Sequence, residues 1–572
     1  MFGNLLFFEL QGLTSLTLHS SFVSDCVAEG AVHALPRLRQ LQTLVLTPGL
    51  VNPYVIHPRT NADLIRAIGR CWNLRNVNLL LNRYRKSLTR GRSSWHNACF
   101  IGRLKSLEIL RVDDGSKHSG YLRFLQRFVE SPSSKFAPLV MEKLRELSIC
   151  SLHGAQGAKP LAGVLKALPG LQTLSLRGSV LGHDGVVHLA PAFSHLPLLK
   201  HLDLSSCRVD CLSHRRKQHL LWLEPKSRQG REAAGGSFFA DSESSGAPLV
   251  DEEGNVLGIS VLDRGDGDFA DVYHYDGPLS VPGRALASGL LNLQELEVLV
   301  LRDEDIRVDS ALAVARVLGR LQKLRKLDLH GWLHSDEADD PRGAVALAGS
   351  LRQLSGLEQL DLSSTDLTCA GLAAVMPAVA QHANLTELDL SSTELHGGVQ
   401  AQGFQTVCDH LGSLVCMQKL TLMCAESEGL DLNALARALQ PLTHINDLTL
   451  RMNWVYDSLL LQSLPTEFFE VVKSMANMQQ LTLNGIDFME GRVDSLIDAL
   501  VCLSRLERLS LERCYMACSA VAEVVAAVQS HAGLRECVIP AICMGPGGVC
   551  ECSEAGRPAW VVVGSHGRVP IL

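Results

Sequence analysis

The chain has 572 residues, of which 46% are hydrophobic and only 5% aromatic, with a mean hydropathy of +0.12 and a formal net charge of −7. This apolar content supports a large core and excludes wholesale disorder. The acidic balance excludes nucleic-acid binding spread over the whole surface, and no stretch approaches the roughly 18 consecutive apolar residues of a membrane span.

The first residues, Met1 to Glu9, lack the basic start of a secretory signal. Leu5, Leu6, Phe7 and Leu10 read as the end of a helix running into a strand headed by Leu13. They are either a minimal cap or what is left of a preceding unit.

From Leu13 onward one pattern dominates: apolar-x-x-apolar-x-apolar. It is headed by Leu13, Leu41, Leu74, Leu107, Leu144, Leu171 and Leu199, and then by Leu296, Leu324, Leu357, Leu385, Met417, Ile445, Met478, Leu506 and Leu534. Successive heads lie close to 28 or 33 residues apart, except for the 97 residues from Leu199 to Leu296. Within one unit, Leu360 and Leu362 alternate with polar neighbours, the period of a strand with one buried face. Ser363 to Asp366 turn the chain, Leu367 re-enters the core, and Leu372, Val375 and Val379 mark the inner face of a helix. One such unit cannot bury its own face, so stability must come from stacking.

This pattern resembles the ribonuclease-inhibitor-like class of leucine-rich repeats over roughly residues 5–545, one insertion apart. The resemblance implies an α/β solenoid of about 16 repeats, with parallel strands on a concave face and helices on the convex face. That class often places Asn or Cys three residues after the last strand leucine. Here the slot holds Ser179, Cys207, Thr365, Asn453 or Cys514, and elsewhere Trp332, Ala425 or Ile486. A small polar group there can satisfy loop backbone, so units with Trp, Ala or Ile are expected to be irregular.

Four segments follow: repeats over 1–211, a charged and largely disordered insertion over 212–280, repeats over 281–545, and a tail or cap over 546–572. The insertion is basic at its start (His214 to Lys217) and acidic later (Asp251 to Glu253, Asp263 to Asp271). Val256 to Leu262 is its one candidate strand. Near the C-terminus, Trp560 to Val563 could add a strand over the open end of the array.

No phosphate-binding loop, His-Glu-x-x-His or Gly-x-Ser-x-Gly motif is present, so neither catalysis nor a cofactor is expected. Two Cys-containing sets, Cys207/Cys211/His214 and Cys537/Cys543/Cys550/Cys552, only loosely approach metal-ligand spacing. The run Arg83, Arg85, Lys86, Arg90, Arg92 before Trp95 could bind anions or direct nuclear import, or be a solvated loop. The 17 cysteines are odd in number and scattered, which fits reduced thiols in the cytoplasm or nucleus.

The strand face carries the clearest functional signal. The central outward position holds Asp203, Asp328, Asp361 and Asp389, the last three on consecutive units. Strands about 4.8 Å apart would stack these carboxylates as a ladder. Together with Arg325 beside them, and Trp332 and Trp454 just beyond their strands, they form a candidate docking surface for a protein with a basic surface. Leu-Asp-Leu-Ser is also common strand filler in this repeat class, Arg325, Lys326 and Lys419 could neutralise the ladder, and both tryptophans could be packed loop residues. The expected role is therefore a monomeric, non-catalytic protein-binding scaffold. A ubiquitin-ligase substrate receptor, whose F-box would lie upstream, and a Ran-type GTPase activator are the alternatives.

Overall fold

The computed structural model describes residues 12–19, 31–47, 67–68, 70–80, 106–113, 143–150, 152, 154–209, 247–250, 256–261, 272–274, 281–302, 308–332, 341–365, 367, 369–391, 400–424, 430–452, 463–488, 493–514, 516–529, 531, 533–540 and 560–562. All sixteen pattern heads lead into strands. In the first part these are β1 (Ser15–His19), β2 (Thr43–Thr47), β3 (Asn76–Leu80), β4 (Ile109–Asp113), β5 (Glu146–Cys150), β6 (Thr173–Ser175) and β7 (His201–Asp203). The insertion holds three short strands: β8 (Ala247–Val250), β9 (Val256–Val261) and β10 (Val272–His274). The array resumes with β11 (Val298–Val300), β12 (Lys326–Asp328), β13 (Gln359–Asp361), β14 (Glu387–Leu390), β15 (Lys419–Cys424), β16 (Asp447–Met452), β17 (Gln480–Asn484), β18 (Arg508–Ser510) and β19 (Glu536–Pro540), and β20 (Trp560–Val562) ends it.

The sixteen array strands form one parallel sheet in strict register. The central apolar residue of each pairs with its counterpart, as in Leu16↔Leu44↔Val77 at one end and Leu448↔Leu481↔Leu509↔Cys537 at the other. Register is set by burial, because a one-residue slip would turn every leucine to solvent. The insertion does not interrupt the ladder: Leu202 of β7 pairs directly with Leu299 of β11. The described insertion residues form their own antiparallel sheet in the order β10-β9-β8, and the expected strand over Val256–Leu262 is its centre. The remainder of 212–280 lies outside the described residues. At the other end β20 pairs antiparallel with β19, joining Val538↔Val562 and Pro540↔Trp560, so the expected closing strand forms.

Helices cover one face of the sheet, among them α1 (Gly154–Leu165), α2 (Gly182–Leu189), α3 (Val281–Leu290), α4 (Val308–Leu318), α5 (Arg342–Leu351) and α6 (Cys369–Val379). The expected inner positions Leu367, Leu372, Val375 and Val379 are all buried. Helices pack 8–10 Å apart and strands about 4.8 Å apart, so stacking one of each per unit makes the strand side concave. The molecule is an α/β leucine-rich-repeat solenoid, with a single core between the two layers.

Among the described residues six strands end in the same tight turn. The residue before the Asn/Cys slot is left-handed in six units: Gly178, Ser206, Gly331, Ser364, Gly485 and Arg513 have φ from 55° to 74°. The slot N–H returns to the last strand leucine, as in Cys207 N to Leu204 O at 3.1 Å, so the third turn residue needs positive φ, as in a type II turn. The slot side chain then ties units together. Cys207 and Cys514 donate to Leu176 O and Leu483 O of the preceding unit, at 3.0 and 3.2 Å, and Ser179 Oγ accepts from Leu152 N. At Trp332 the expected irregularity does not appear, since its N–H still reaches Leu329 O at 2.9 Å and Gly331 takes the left-handed position without strain. Ala425 lies outside the described residues.

Arg513 takes this conformation at φ 57° with an exposed side chain. Left-handed geometry costs a residue with a Cβ about 1 kcal/mol or more, which glycine does not incur. Arg513→Gly is expected to raise stability by about 0.5–1 kcal/mol after glycine's own entropy cost, read as a higher urea midpoint at unchanged slope.

One buried position departs from the apolar rule. Three residues before the head most described units carry a buried apolar residue, such as Leu196, Leu293, Leu321 and Leu354, but two carry histidine: His382, at 4% exposure, and the less buried His531. The Nε2 of His382 has no hydrogen-bond partner among the described residues. Burial lowers its pKa, against a hydrogen bond with the Leu351 backbone that raises it. The unfolded chain therefore binds a proton more readily, so the neutral histidine's contribution is present above about pH 6.5 and is lost as pH falls below that value. Between pH 8 and 5.5 the thermal midpoint of the wild type should fall further than that of His382→Leu. The slope assignable to one histidine cannot exceed about 1.4 kcal/mol per pH unit.

Candidate interaction surface

The outward positions of the parallel strands line the concave face in two rows. Strand register brings Asp328, Asp361 and Asp389 side by side, while Val300 of β11 separates Asp203 from Asp328. The aspartates sit where each strand meets its turn, and they cap it. Asp203, Asp361 and Asp389 each accept from the N–H two residues on, at Ser205 (2.9 Å), Ser363 (2.9 Å) and Ser391 (2.8 Å). The same serine hydroxyls also donate to those carboxylates. Leu-Asp-Leu-Ser is thus a local Asx-type turn closure, which any unit can use.

The second half of each carboxylate differs between units. Asp203 accepts from Ser175 Oγ at 3.0 Å. Asp328 is only 2% exposed and is engaged by Arg302, whose Nε lies 2.9 and 2.8 Å from its two oxygens. A terminal nitrogen of the same guanidinium lies 2.7 Å from Asp328 Oδ2 and 3.2 Å from Asp361 Oδ2. One arginine therefore clamps two rungs. Its pKa is raised, first by the hydrogen bond to Asp328 and then by the charges of Asp328, Asp361 and Asp203, against partial burial. Arg302 escaped the sequence reading, although a signal existed: it occupies the serine position of the one unit whose ladder residue is Val300 rather than Asp.

Arg325, expected beside the ladder, instead pairs with Glu358 at 3.1 Å. Lys419 approaches Asp447 at 3.9 Å. Both belong to a broader scheme in which charges on neighbouring units pair with each other: Arg75 with Glu108, Arg111 with Glu146, Lys200 with Glu297, Arg508 with Glu536 and Arg535 with Glu507. Exposed pairs of this kind contribute little stability, but they leave few charges unmatched. Among the described residues Asp203, Lys326 and Arg451 have no ion pair, and carboxylates without close cations adjoin each other around β14 and β16. Asp389 forms no ion pair, Glu387 only accepts from Gln359 Nε2 at 3.0 Å, and half-buried Asp447 has its pKa raised by burial, with Glu387 and Asp389 adding to the rise against Lys419 and Arg508. Further along, the ladder is neutral: Thr421, Thr449, Thr482 and Ser510.

The tryptophans divide. Trp332 is 1% exposed and is the largest fully buried side chain among the described residues, so the structure places it in the core. Trp454 lies outside the described residues, as do Cys211, His214 and the basic run at 83–92. Of the two loose cysteine sets, Cys207 is engaged with Leu176 O and Cys537 is buried. Among the described residues no helix is long and apolar enough to cross a membrane, and no cluster of three or more potential ligands could hold a metal ion.

At the strand-entry edge, four consecutive turns open a polar trough of about 490 Å³, lined by Cys416, Gln418, His444, Asn446, Asn477, Gln479 and Arg505. No family model matches the chain, and no curated protein does. Among solved structures it is similar to the crystal structure of an internalin (inlF) from Listeria monocytogenes, at 12% identity over 88% of each chain, with a TM-score of 0.33.

Proposed function

We propose that this chain is a non-catalytic scaffold of the ribonuclease-inhibitor-like subclass, binding a partner protein on its concave face. The observation that supports this reading is the unbroken sixteen-strand face, on which Glu387 and Asp389 are neighbouring carboxylates with no ion pair among the described residues, beside Asp447, whose nearest cation is Lys419 at 3.9 Å. Adjacent unpaired carboxylates favour a partner that brings a basic side chain to that point. Asp328 and Asp361 are spent on Arg302 and do not contribute.

The buried thiols support a reducing compartment, cytoplasm or nucleus. Cys514 is held by burial at a pKa of about 12 and serves as a hydrogen-bond donor, a role that needs the reduced form. The scaffold acts as a monomer in this reading.

Charge reversal at Asp389 is the direct test. Affinity capture from native cells with Asp389→Lys is expected to recover the principal partner with about tenfold weaker affinity, a loss near 1.4 kcal/mol, at unchanged circular dichroism. Equal recovery would remove the acidic pole from the binding surface.

A further inference from the structure

We infer that the trough across the entries of β15, β16, β17 and β18 binds a short extended peptide by its backbone, with the peptide's terminal carboxylate on Arg505. This site is separate from the acidic pole and does not depend on the partner proposed there.

Two rows of side chains flank the trough. Gln418, Asn446 and Gln479 immediately follow the buried heads Met417, Ile445 and Met478, while Cys416, His444, Asn477 and Arg505 immediately precede the heads of their units. The two rows therefore face each other across consecutive turns. Backbone bonds hold the turns in step, with Asn446 N on Gln418 O and Gln479 N on Asn446 O, both at 2.8 Å. Among the described residues the side chains of Gln418, Asn446, Gln479 and His444 have no hydrogen-bond or ion-pair partner.

This inventory selects a ligand class. A carboxamide presents a donor and an acceptor together, the same pair that a peptide group presents in return. Successive peptide groups of an extended chain point to opposite sides; Gln418, Asn446 and Gln479 form a row of carboxamides on one side, and His444 offers a ring nitrogen on the other. Four turns span about three strand spacings, roughly 14 Å, the length of about four extended residues. Arg505 is the one charged residue of the lining. Asn477 Oδ1 accepts from its Nη1 at 2.9 Å, which orients the guanidinium and leaves other donors for a carboxylate. Neutral carboxamides over most of the length and one fixed cation at the end specify a peptide terminus rather than a polyanion.

The test is fluorescence anisotropy on the full chain. The probe is Ala-Ala-Ala-Ala labelled at its N-terminus with fluorescein, as the free acid and as the C-terminal amide. The free acid is expected to bind saturably and at least about tenfold more tightly than the amide. Arg505→Gln should bring the acid down to the amide's affinity, and Asn446→Ala with Gln479→Ala should weaken both forms together. Arg505 and Gln479 are exposed and Asn446 is half-buried, and unchanged circular dichroism will show that the variants fold. Absence of saturable binding, equal affinity for acid and amide, or displacement of the probe by propionate at equal concentration would each overturn the proposal, the last because the site would then recognise a carboxylate without peptide groups.

Discussion

Replacing Arg302 with methionine is expected to cost about 2–4 kcal/mol, although nearly half of the side chain is exposed. The cost lies in the partner. Asp328 is 2% exposed, and without the guanidinium its charge would be buried with only the distant His330 N–H, at 3.4 Å, to offset it. Removing one member of a buried pair generally costs about 3–5 kcal/mol, and the solvent access of Arg302 argues for the lower part of that range. Asp361 would also lose a contact, and the adjacent carboxylates would repel each other unscreened. Pairing Arg302→Met with Asp328→Asn should recover most of the loss, because the uncompensated charge is then gone. The measurement is urea unfolding of the two single variants and the double, read as a cycle. Strict additivity would show that the clamp contributes nothing. Repeat arrays can unfold in parts, so hydrogen exchange over β11 to β14 should report the same order.

Trp332→Ala is the second large effect. The indole fills the slot that Thr365 fills in the next unit and Cys207 fills two units earlier, and at 1% exposure its removal leaves a cavity that smaller side chains cannot close. A loss of about 3–5 kcal/mol is expected, read as a lowered thermal midpoint. Trp332→Phe should lose clearly less. A Trp332→Ala chain of unchanged stability that fails to capture a partner would instead mark the residue as a binding anchor, opposite to its position in the core.

The fold was legible because its signal is repeated. A single Leu-x-x-Leu-x-Leu is ambiguous, but sixteen heads at near-constant spacing force one solution, and even the gap between Leu199 and Leu296 could be recognised as material looped out of a continuous ladder. The surface was less legible. The positions of the aspartates followed from strand periodicity, but what each carboxylate does depends on which side chain arrives from a neighbouring unit. Arg302 and Asp328 are 26 residues apart, and no local pattern couples them. Trp332 misled for a related reason: its distance from the strand is visible in sequence, but whether the turn directs it inward depends on the left-handed Gly331 beside it. His382 also went unnoticed, because a histidine among polar neighbours stands out only when the units are aligned and the slot proves to be apolar in most of them.

The antiparallel pairing of β20 with β19 has a consequence for assembly. Stacked units can in principle propagate from molecule to molecule, since the last strand of one chain presents the same unsatisfied backbone groups as any interior strand and would accept the first strand of another. With Trp560–Val562 running in the reverse direction along that edge, an incoming β1 meets a polarity it cannot extend in parallel. The closing strand thus occupies the backbone groups of β19 that a further parallel strand would otherwise use.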